Sequence, residues 1–289
     1  MSNMSKKCLI CQRKNDTIYH HLDEKTNKIW IWCQGVCQRG YSLERYCELA
    51  GVDPIDYINN TNIKVFESKP NEVNAMSWPS HFVPLSDPRA AKGIEYIKSR
   101  GLNLNGDMYY DIEEEGIVFP YYIGQQFCGA QIRFIETRIK DDEEWKITTL
   151  PGTRLGLLVY NWNQEKFMNT VRGVIITEGA FNALSINQSL NLAYGSVINN
   201  PWRVVACSGS GVSDHQREIF KELKDSEMKV IVAPDMDEAG KKMFNKLLEA
   251  DAITNYAFTR EIGVDWNDKL VQLGHKEFAK FFLTCVEKI

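Results

Sequence analysis

The spacing of apolar and polar residues changes character along the chain, and each change marks a different kind of structure. From Arg89 to Leu102 the apolar positions fall at helical spacing, with Ile94 and Ile97 on one side and Gly101 as the stop. Two short apolar runs follow, Gly116–Ile123 and Cys128–Glu136, separated by Gly124–Phe127. That is the pattern of a β-hairpin, and Glu144–Leu150 predicts a further strand beyond the acidic turn Asp141–Glu144. After Val171 the strands become short and continuously apolar: Gly173–Thr177, Arg203–Cys207, Lys229–Ala233 and Asn255–Phe258. Helical segments lie between them, "AFNALSINQSL" after Gly179, then Ser213–Lys224 and Ala239–Glu249. Buried strands alternating with helices predict a mostly parallel α/β sheet.

The N-terminal part reads differently. A first unit ends near Asn60, and Asn59–Pro88 follows, rich in Asn and Ser and carrying Pro70, Pro79, Pro84 and Pro88. Proline lacks an N–H and restricts its neighbour, so this stretch reads as a linker or extended arm, with Trp78, Phe82, Val83 and Leu85 placed to pin its end to the next domain. The layout expected is a small β ribbon over residues 1–60, a linker over 61–87, an α+β subdomain over 88–170 and the parallel α/β sheet over 171–289.

No apolar run is long enough to cross a bilayer, and Met1–Lys7 lacks the apolar stretch of a signal peptide. The chain therefore reads as cytoplasmic, with no membrane partner. In a reducing compartment eight cysteines point away from disulfides. Cys47, Cys128, Cys207 and Cys285 are scattered and read as small core residues. Cys8-x2-Cys11, then 21 residues, then Cys33-x3-Cys37 gives two thiol pairs, the ligand set zinc favours, with His20 or His21 as an alternative to one cysteine. A ribbon of this size has little core of its own, so bound metal would stabilise it. Trp30, Trp32, Tyr41, Arg39 and Arg45 flank the second pair. Such residues can stack on unpaired bases and meet phosphates, although the tryptophans equally well fill a ribbon core.

The net charge of −4 does not suggest a chain that coats nucleic acid, but it hides a gradient. The first fifty residues carry eight basic and five acidic side chains, whereas residues 101–165 carry five and eleven. Contact with phosphates is expected from local patches, foremost the N-terminal module.

Carboxylates recur at the predicted strand ends. Gly173–Thr177 runs into Glu178-Gly179, Lys229–Ala233 runs into Asp235-Met236-Asp237 with Gly240 just beyond, and Asn255–Phe258 is followed by Asp265-Trp266-Asn267-Asp268. Open α/β sheets bind ligands beyond the carboxyl ends of their strands. Clustered carboxylates repel unless a cation joins them, and magnesium or manganese accepts oxygen ligands. Any one of these acids alone reads as a solvated loop residue; the ordered set points to a metal site that binds triphosphate. Gly179 and Gly240 would allow close backbone approach.

"VIITEGAFNAL" (Val174–Leu184), "VIVAPDMDEAGKK" (Val230–Lys242) and "VDWND" (Val264–Asp268) resemble the three blocks of the TOPRIM fold, shared by DnaG-type primases, topoisomerases and some nucleases. "AAKGIEYIKSRGL", "IVFPYYIGQQFCGAQIRF" and "KITTLPGT" resemble, in order, the N-terminal subdomain of the primase polymerase core, and "WPSHFVPLSDP" resembles a phage primase linker. The resemblance implies an N-terminal template-reading zinc ribbon with Cys8, Cys11, Cys33 and Cys37 as ligands. It implies Glu178 as general acid/base or metal-linked carboxylate, Asp235 and Asp237 as magnesium ligands, and Asp265 as a contributor to a second ion. Arg133 and Lys146 would hold template or nucleotide phosphates. The chain departs from the pattern at Asn182, where the family has an acid, and at Asn267, where bacterial primases carry a second aspartate.

The function implied is a DNA primase that makes short RNA primers from ribonucleoside triphosphates on single-stranded DNA. No "GxxxxGK[ST]" P-loop occurs, so a helicase partner would be a separate protein, an arrangement that fits a bacteriophage and hence its host's cytoplasm. A TOPRIM nuclease and a non-catalytic, helicase-regulating DNA-binding protein are the alternatives. Synthesis from ribonucleotides, cleavage, or binding alone discriminates the three.

Overall fold

The computed structural model describes residues 8–11, 18–23, 28–33, 39–61, 73–104, 108–140, 143–162, 171–208 and 211–289. The chain is α/β and divides into two units, residues 1–72 and 73–289.

In the first unit β1 (Ile18–Asp23), β2 (Lys28–Cys33) and β3 (Arg39–Ser42) form an antiparallel sheet in that order. Helix α1 (Leu43–Ala50) starts where the Ser42 hydroxyl accepts from the N–H of Arg45, and it stops at Gly51. Helix α2 (Pro54–Thr61) follows. Among the described residues the core is small: Ile31 from the sheet, Leu43, Tyr46 and Cys47 from α1, Tyr57 from α2, and Cys8 and Cys33.

The second unit holds two five-stranded sheets. The first is an antiparallel meander of β4 (Phe82–Pro84), β5 (Tyr109–Asp111), β6 (Gly116–Ile123), β7 (Gln126–Lys140) and β8 (Glu143–Thr149). Helix α3 (Ala91–Ser99) lies between β4 and β5 in sequence, and Gly101, at φ 70°, ends it as the sequence implies. The hairpin and the third strand appear at the expected places. At the end of the stretch read as a linker, β4 pairs with β5, Phe82, Val83 and Leu85 are buried, and the Trp78 ring packs edge-on against Phe82, Tyr109 and Phe127, the residues expected to pin that end. Apolar residues at that density cover one face of the meander, and the prolines there shape an edge strand.

The second sheet has the order β10-β9-β11-β12-β13, from β9 (Gly173–Thr177), β10 (Trp202–Ala206), β11 (Lys229–Val232), β12 (Asn255–Ala257) and β13 (Val286–Lys288). All pairs are parallel except β12–β13. The strands are apolar on both faces because both are covered. Ile175, Val204 and Ile231 pack with helices α4 (Ala180–Ala193) and α7 (Trp266–Cys285) and with Ile117, Phe119 and Tyr121 of the meander. Val174, Ile176, Val205, Val230 and Val232 face α5 (Asp214–Asp225) and α6 (Glu238–Glu249) through Phe220, Met243 and Leu247. Each fully buried aliphatic side chain contributes about 1.5–3 kcal/mol, so this sheet anchors the unit. Helix α7 is interrupted at Gly274, whose φ of 69° no helix accommodates. Among the described residues no helix is long and apolar enough to cross a membrane.

Candidate active site and cysteine cluster

The parallel strands set the site. Glu178 directly follows β9, Asp235 and Asp237 follow β11, and Asp265 precedes α7 in the loop after β12. Parallel neighbours end on the same edge of the sheet, so these loops share one rim.

The N–H of Asp235 donates to Glu178 Oε1 at 2.9 Å. Asp235 Oδ1 accepts from the Asn182 side-chain amide at 2.7 Å. Asp237 is the N-cap of α6, its Oδ1 accepting from the N–H of Gly240 at 2.8 Å. Asp265 is the N-cap of α7, accepting from the N–H of Asp268 at 2.7 Å within a capping box. A side chain at Gly240 would collide with the Asp235 carbonyl oxygen and sit 2.6 Å from Glu178 Oε1, so close approach does require glycine there. Gly179 is different: no protein atom lies within 4 Å of an added Cβ, so packing within the chain does not require glycine there.

The electrostatics are those of crowded acids. Burial, followed by Glu178, Asp265 and Asp237, pushes the Asp235 carboxyl up to about 8, against the opposing hydrogen bond from Asn182. Burial raises Glu178, with Asp237 adding and the Asp235 N–H opposing. Burial also raises Asp265, opposed by the Asp268 N–H and by Arg100. Asp237 is exposed. A divalent cation would relieve this repulsion, and carboxylate oxygens are the donors magnesium or manganese takes, so the residues fit such an ion chemically. As the side chains stand, however, the ring is open. The sole set of three or more His, Cys, Asp or Glu ligand atoms mutually within 4.8 Å among the described residues consists of cysteines, not of these acids.

Asn182 and Asn267, the departures from the resemblance pattern, are both buried. Asn182 Oδ1 accepts from the backbone N–H of Asn267 at 3.1 Å, and the Asn267 side chain donates to Ser185 Oγ at 2.8 Å and to the Arg100 carbonyl at 2.9 Å. Sequence reasoning treated Arg100 only as part of a helix end. The structure sets its guanidinium 4.0 Å from Asp265 Oδ2, 3.9 Å from Asp268 Oδ1 and 5.4 Å from the centre of the Phe181 ring. No local signal marks it, because its acidic neighbours are far away in sequence. Arg133 lies on β7 with its Nε buried and without a hydrogen-bond partner, and Lys146 on β8 is exposed and paired with Glu144 at 2.7 Å.

In the first unit Cys8, Cys11 and Cys33 bring their sulfurs within 4.8 Å of one another. Cys11 Sγ and Cys33 Sγ are 3.7 Å apart. Zinc–thiolate bonds of about 2.3 Å at tetrahedral angles require sulfurs about 3.8 Å apart, so the spacing fits that ion. Tyr46, fully buried, accepts from the N–H of Leu9 at 2.8 Å and donates to Cys8 Sγ at 3.7 Å, which holds the first thiol pair on α1. His20 sits instead on Tyr57 Oη, 3.0 Å from its Nε2. Cys37, like Asp141 and Asp142, lies outside the described residues, as do the side chains of His21, Trp32 and Arg39. Trp30 is exposed, Tyr41 packs against Tyr46, and Arg45 pairs with Glu48 at 2.7 Å. Cys47, Cys128, Cys207 and Cys285 are buried, as core residues should be.

Residues 175–270 match the Toprim-like family model, a stretch that contains all four candidate carboxylates. No curated protein matches the chain. Among solved structures the chain is similar to a DnaG catalytic core, at 19% identity over 71% of this chain and 76% of that one, with a TM-score of 0.49. It is similar to the zinc-binding and RNA polymerase domains of the Aquifex aeolicus primase, at 16% identity over 96% and 81%, with a TM-score of 0.48. It is also similar to the primase fragment of the bacteriophage T7 primase-helicase protein, at 17% identity over 92% and 99%, with a TM-score of 0.43.

Proposed function

We propose that this chain, with its Toprim-like domain and its N-terminal thiol cluster, is a DNA primase that joins ribonucleotides into short primers on single-stranded DNA. The observation that carries the reading is the acidic rim, where loops from separate parallel strands bring Glu178, Asp265 and Asp237 within electrostatic range of Asp235, whose N–H bonds Glu178 Oε1 at 2.9 Å.

Glu178, Asp235, Asp237 and Asp265 would hold magnesium or manganese, which when bound neutralises triphosphate charge and lowers the pKa of the primer's 3′-hydroxyl. The protein's own groups do the rest. The carboxyl of Glu178, raised by burial, is suited to take a proton from that hydroxyl or return one to pyrophosphate. The Asp235 N–H holds Glu178 Oε1 in place for this task. Arg100, beside Asp265 and Asp268 but beyond hydrogen-bond distance of either, supplies positive charge at the same rim. Arg133 and Lys146 serve the template or nucleotide phosphates, with Lys146 exchanging Glu144 for a phosphate. Cys8, Cys11, Cys33 and Cys37 would hold a structural zinc, and the unit they stabilise selects the template start site. A replicative helicase would act as a separate partner, and a host cell's cytoplasm, with the gene carried by a bacteriophage, is the setting this implies.

The test is primer synthesis on random single-stranded templates with ribonucleotides and magnesium, followed by sequencing of the products. Synthesis is expected in the wild type, and Asp235→Ala should lower it at least about 10³-fold, a loss equivalent to the several kcal/mol a bound cation supplies, while template binding persists. Binding without synthesis would favour the non-catalytic reading, and template cleavage would favour a nuclease.

A further inference from the structure

We infer that Asn182 is a positioning residue that orients Asp235 and ties its loop to the start of α7, and that it is not itself a cation ligand. The inference rests on the reading of the acidic rim given above and deepens it.

Asn182 stands on the first turn of α4 and is nearly fully buried, at 4% exposure. Its amide is used on both sides: Nδ2 donates to Asp235 Oδ1 at 2.7 Å, and Oδ1 accepts from the Asn267 N–H at 3.1 Å. A backbone N–H can only donate, so the atom facing Asn267 must be the oxygen, and the orientation of the amide is settled. One short side chain thereby bridges the Asp235 loop, 53 residues away, and the first turn of α7, 85 residues away. An ionised acid at this position could accept from Asn267 but could give Asp235 no hydrogen. Alanine could do neither.

Asn267 completes the arrangement. It is fully buried, and its side-chain nitrogen donates to both the Ser185 hydroxyl and the Arg100 carbonyl. An ionised aspartate has no hydrogen to give to either. Nearby, the Trp266 indole N–H donates to the Ala233 carbonyl at 3.1 Å, so the start of α7 is also fastened beneath the end of β11. The two asparagines that depart from the resemblance pattern are thus one hydrogen-bonded device. The Asn182 atom turned toward Asp235 is the donor nitrogen, which cannot ligate a cation, while the oxygen is turned to the Asn267 N–H, so the rim's charge comes from Glu178, Asp235, Asp237 and Asp265.

The experiment is a manganese titration of the full-length chain followed by electron paramagnetic resonance, with thermal unfolding on the same samples. Asn182→Ala should raise the half-saturating manganese concentration about 5- to 20-fold while leaving the number of ions bound at saturation unchanged. A lost ion would mean Asn182 is a ligand, and unchanged affinity with only a lowered Tm would mean a purely structural residue; either result overturns the inference. Asp235→Ala is the control for the underlying reading: wild-type manganese binding in that variant would remove the acidic rim as the cation site, whatever Asn182 does. If Asn182→Ala does not fold, the side-chain amide protons of Asn182 are followed by NMR in the wild type and in Asp235→Ala. Slow exchange in the first and fast exchange in the second is expected, and fast exchange in the wild type overturns the inference.

Discussion

The backbone N–H of Asp235 and Oε1 of Glu178, 57 residues apart in sequence, are joined by a 2.9 Å hydrogen bond across the ends of neighbouring strands β9 and β11. The bond needs an acceptor oxygen at position 178 and no charge, so it separates the structural use of Glu178 from its chemical use.

Glu178→Gln keeps that oxygen and should unfold at nearly the wild-type temperature, yet lower primer synthesis about 10²- to 10⁴-fold, the range general acid–base groups supply. Glu178→Ala leaves the partly buried Asp235 N–H without its acceptor and should cost about 1–3 kcal/mol of stability as well. Steady-state synthesis and urea unfolding of the two variants check this; equal stability loss in both would contradict it.

The raised carboxyl of Asp235 gives the cation-free protein a pH signature. The folded chain holds this proton up to about 8, whereas an ordinary aspartate releases it near 3.8. Folded protein therefore binds more protons between those values, and this group's contribution to stability is complete below the lower one and lost as pH rises through the upper. Cation-free wild type should show a larger fall in Tm from pH 5 to pH 8 than Asp235→Asn, and added magnesium should narrow the difference. Parallel pH profiles would contradict the assignment.

Gly240 and Gly179 should respond oppositely to alanine. At Gly240 the methyl group meets the Asp235 carbonyl and Glu178, and a displaced backbone there should cost about 1–3 kcal/mol and weaken manganese binding. Gly179, at φ −113° with open space around it, should accept alanine with a change in Tm within about 2 °C. Thermal unfolding of the pair, with and without cation, decides.

Cys33→Ser should release bound zinc and unfold the first unit, whose core among the described residues is a few side chains around the thiols. Cys47→Ala, at a buried cysteine outside the sulfur cluster, should keep a full equivalent of zinc. Zinc content by a colorimetric chelator assay, read beside circular dichroism, distinguishes them; a full equivalent retained in Cys33→Ser would exclude it as a ligand.

What could be read from the sequence follows from where the signal lies. β9 and β11 are continuous apolar runs that stop at acids, so both the strands and the carboxylates beyond them were legible. β4 and β5 are three residues each, too short for an alternation to show, and β4 contains a proline, so its segment read as linker. Helix α7, with its break at Gly274, and β13 were not read at all; both lie beyond the last strand that the sequence analysis picked out. Asn182 could be noticed only as a departure from a pattern. Its partners are 53 and 85 residues off, and a hydrogen bond between distant loops leaves no periodicity behind. Arg100 escaped for the same reason.

Asp237 and Asp265 each give one carboxylate oxygen to the first turn of a helix, and this sets a rule for whatever they engage. Each keeps one oxygen outside its cap bond. A ligand that drew on both would share the capping oxygen with a backbone N–H and weaken that bond, at a cost of up to about 1 kcal/mol per cap. The fold thereby favours one-point attachment at its two outer acids, and it makes occupancy of the rim and the tightness of two helix ends a single, shared equilibrium.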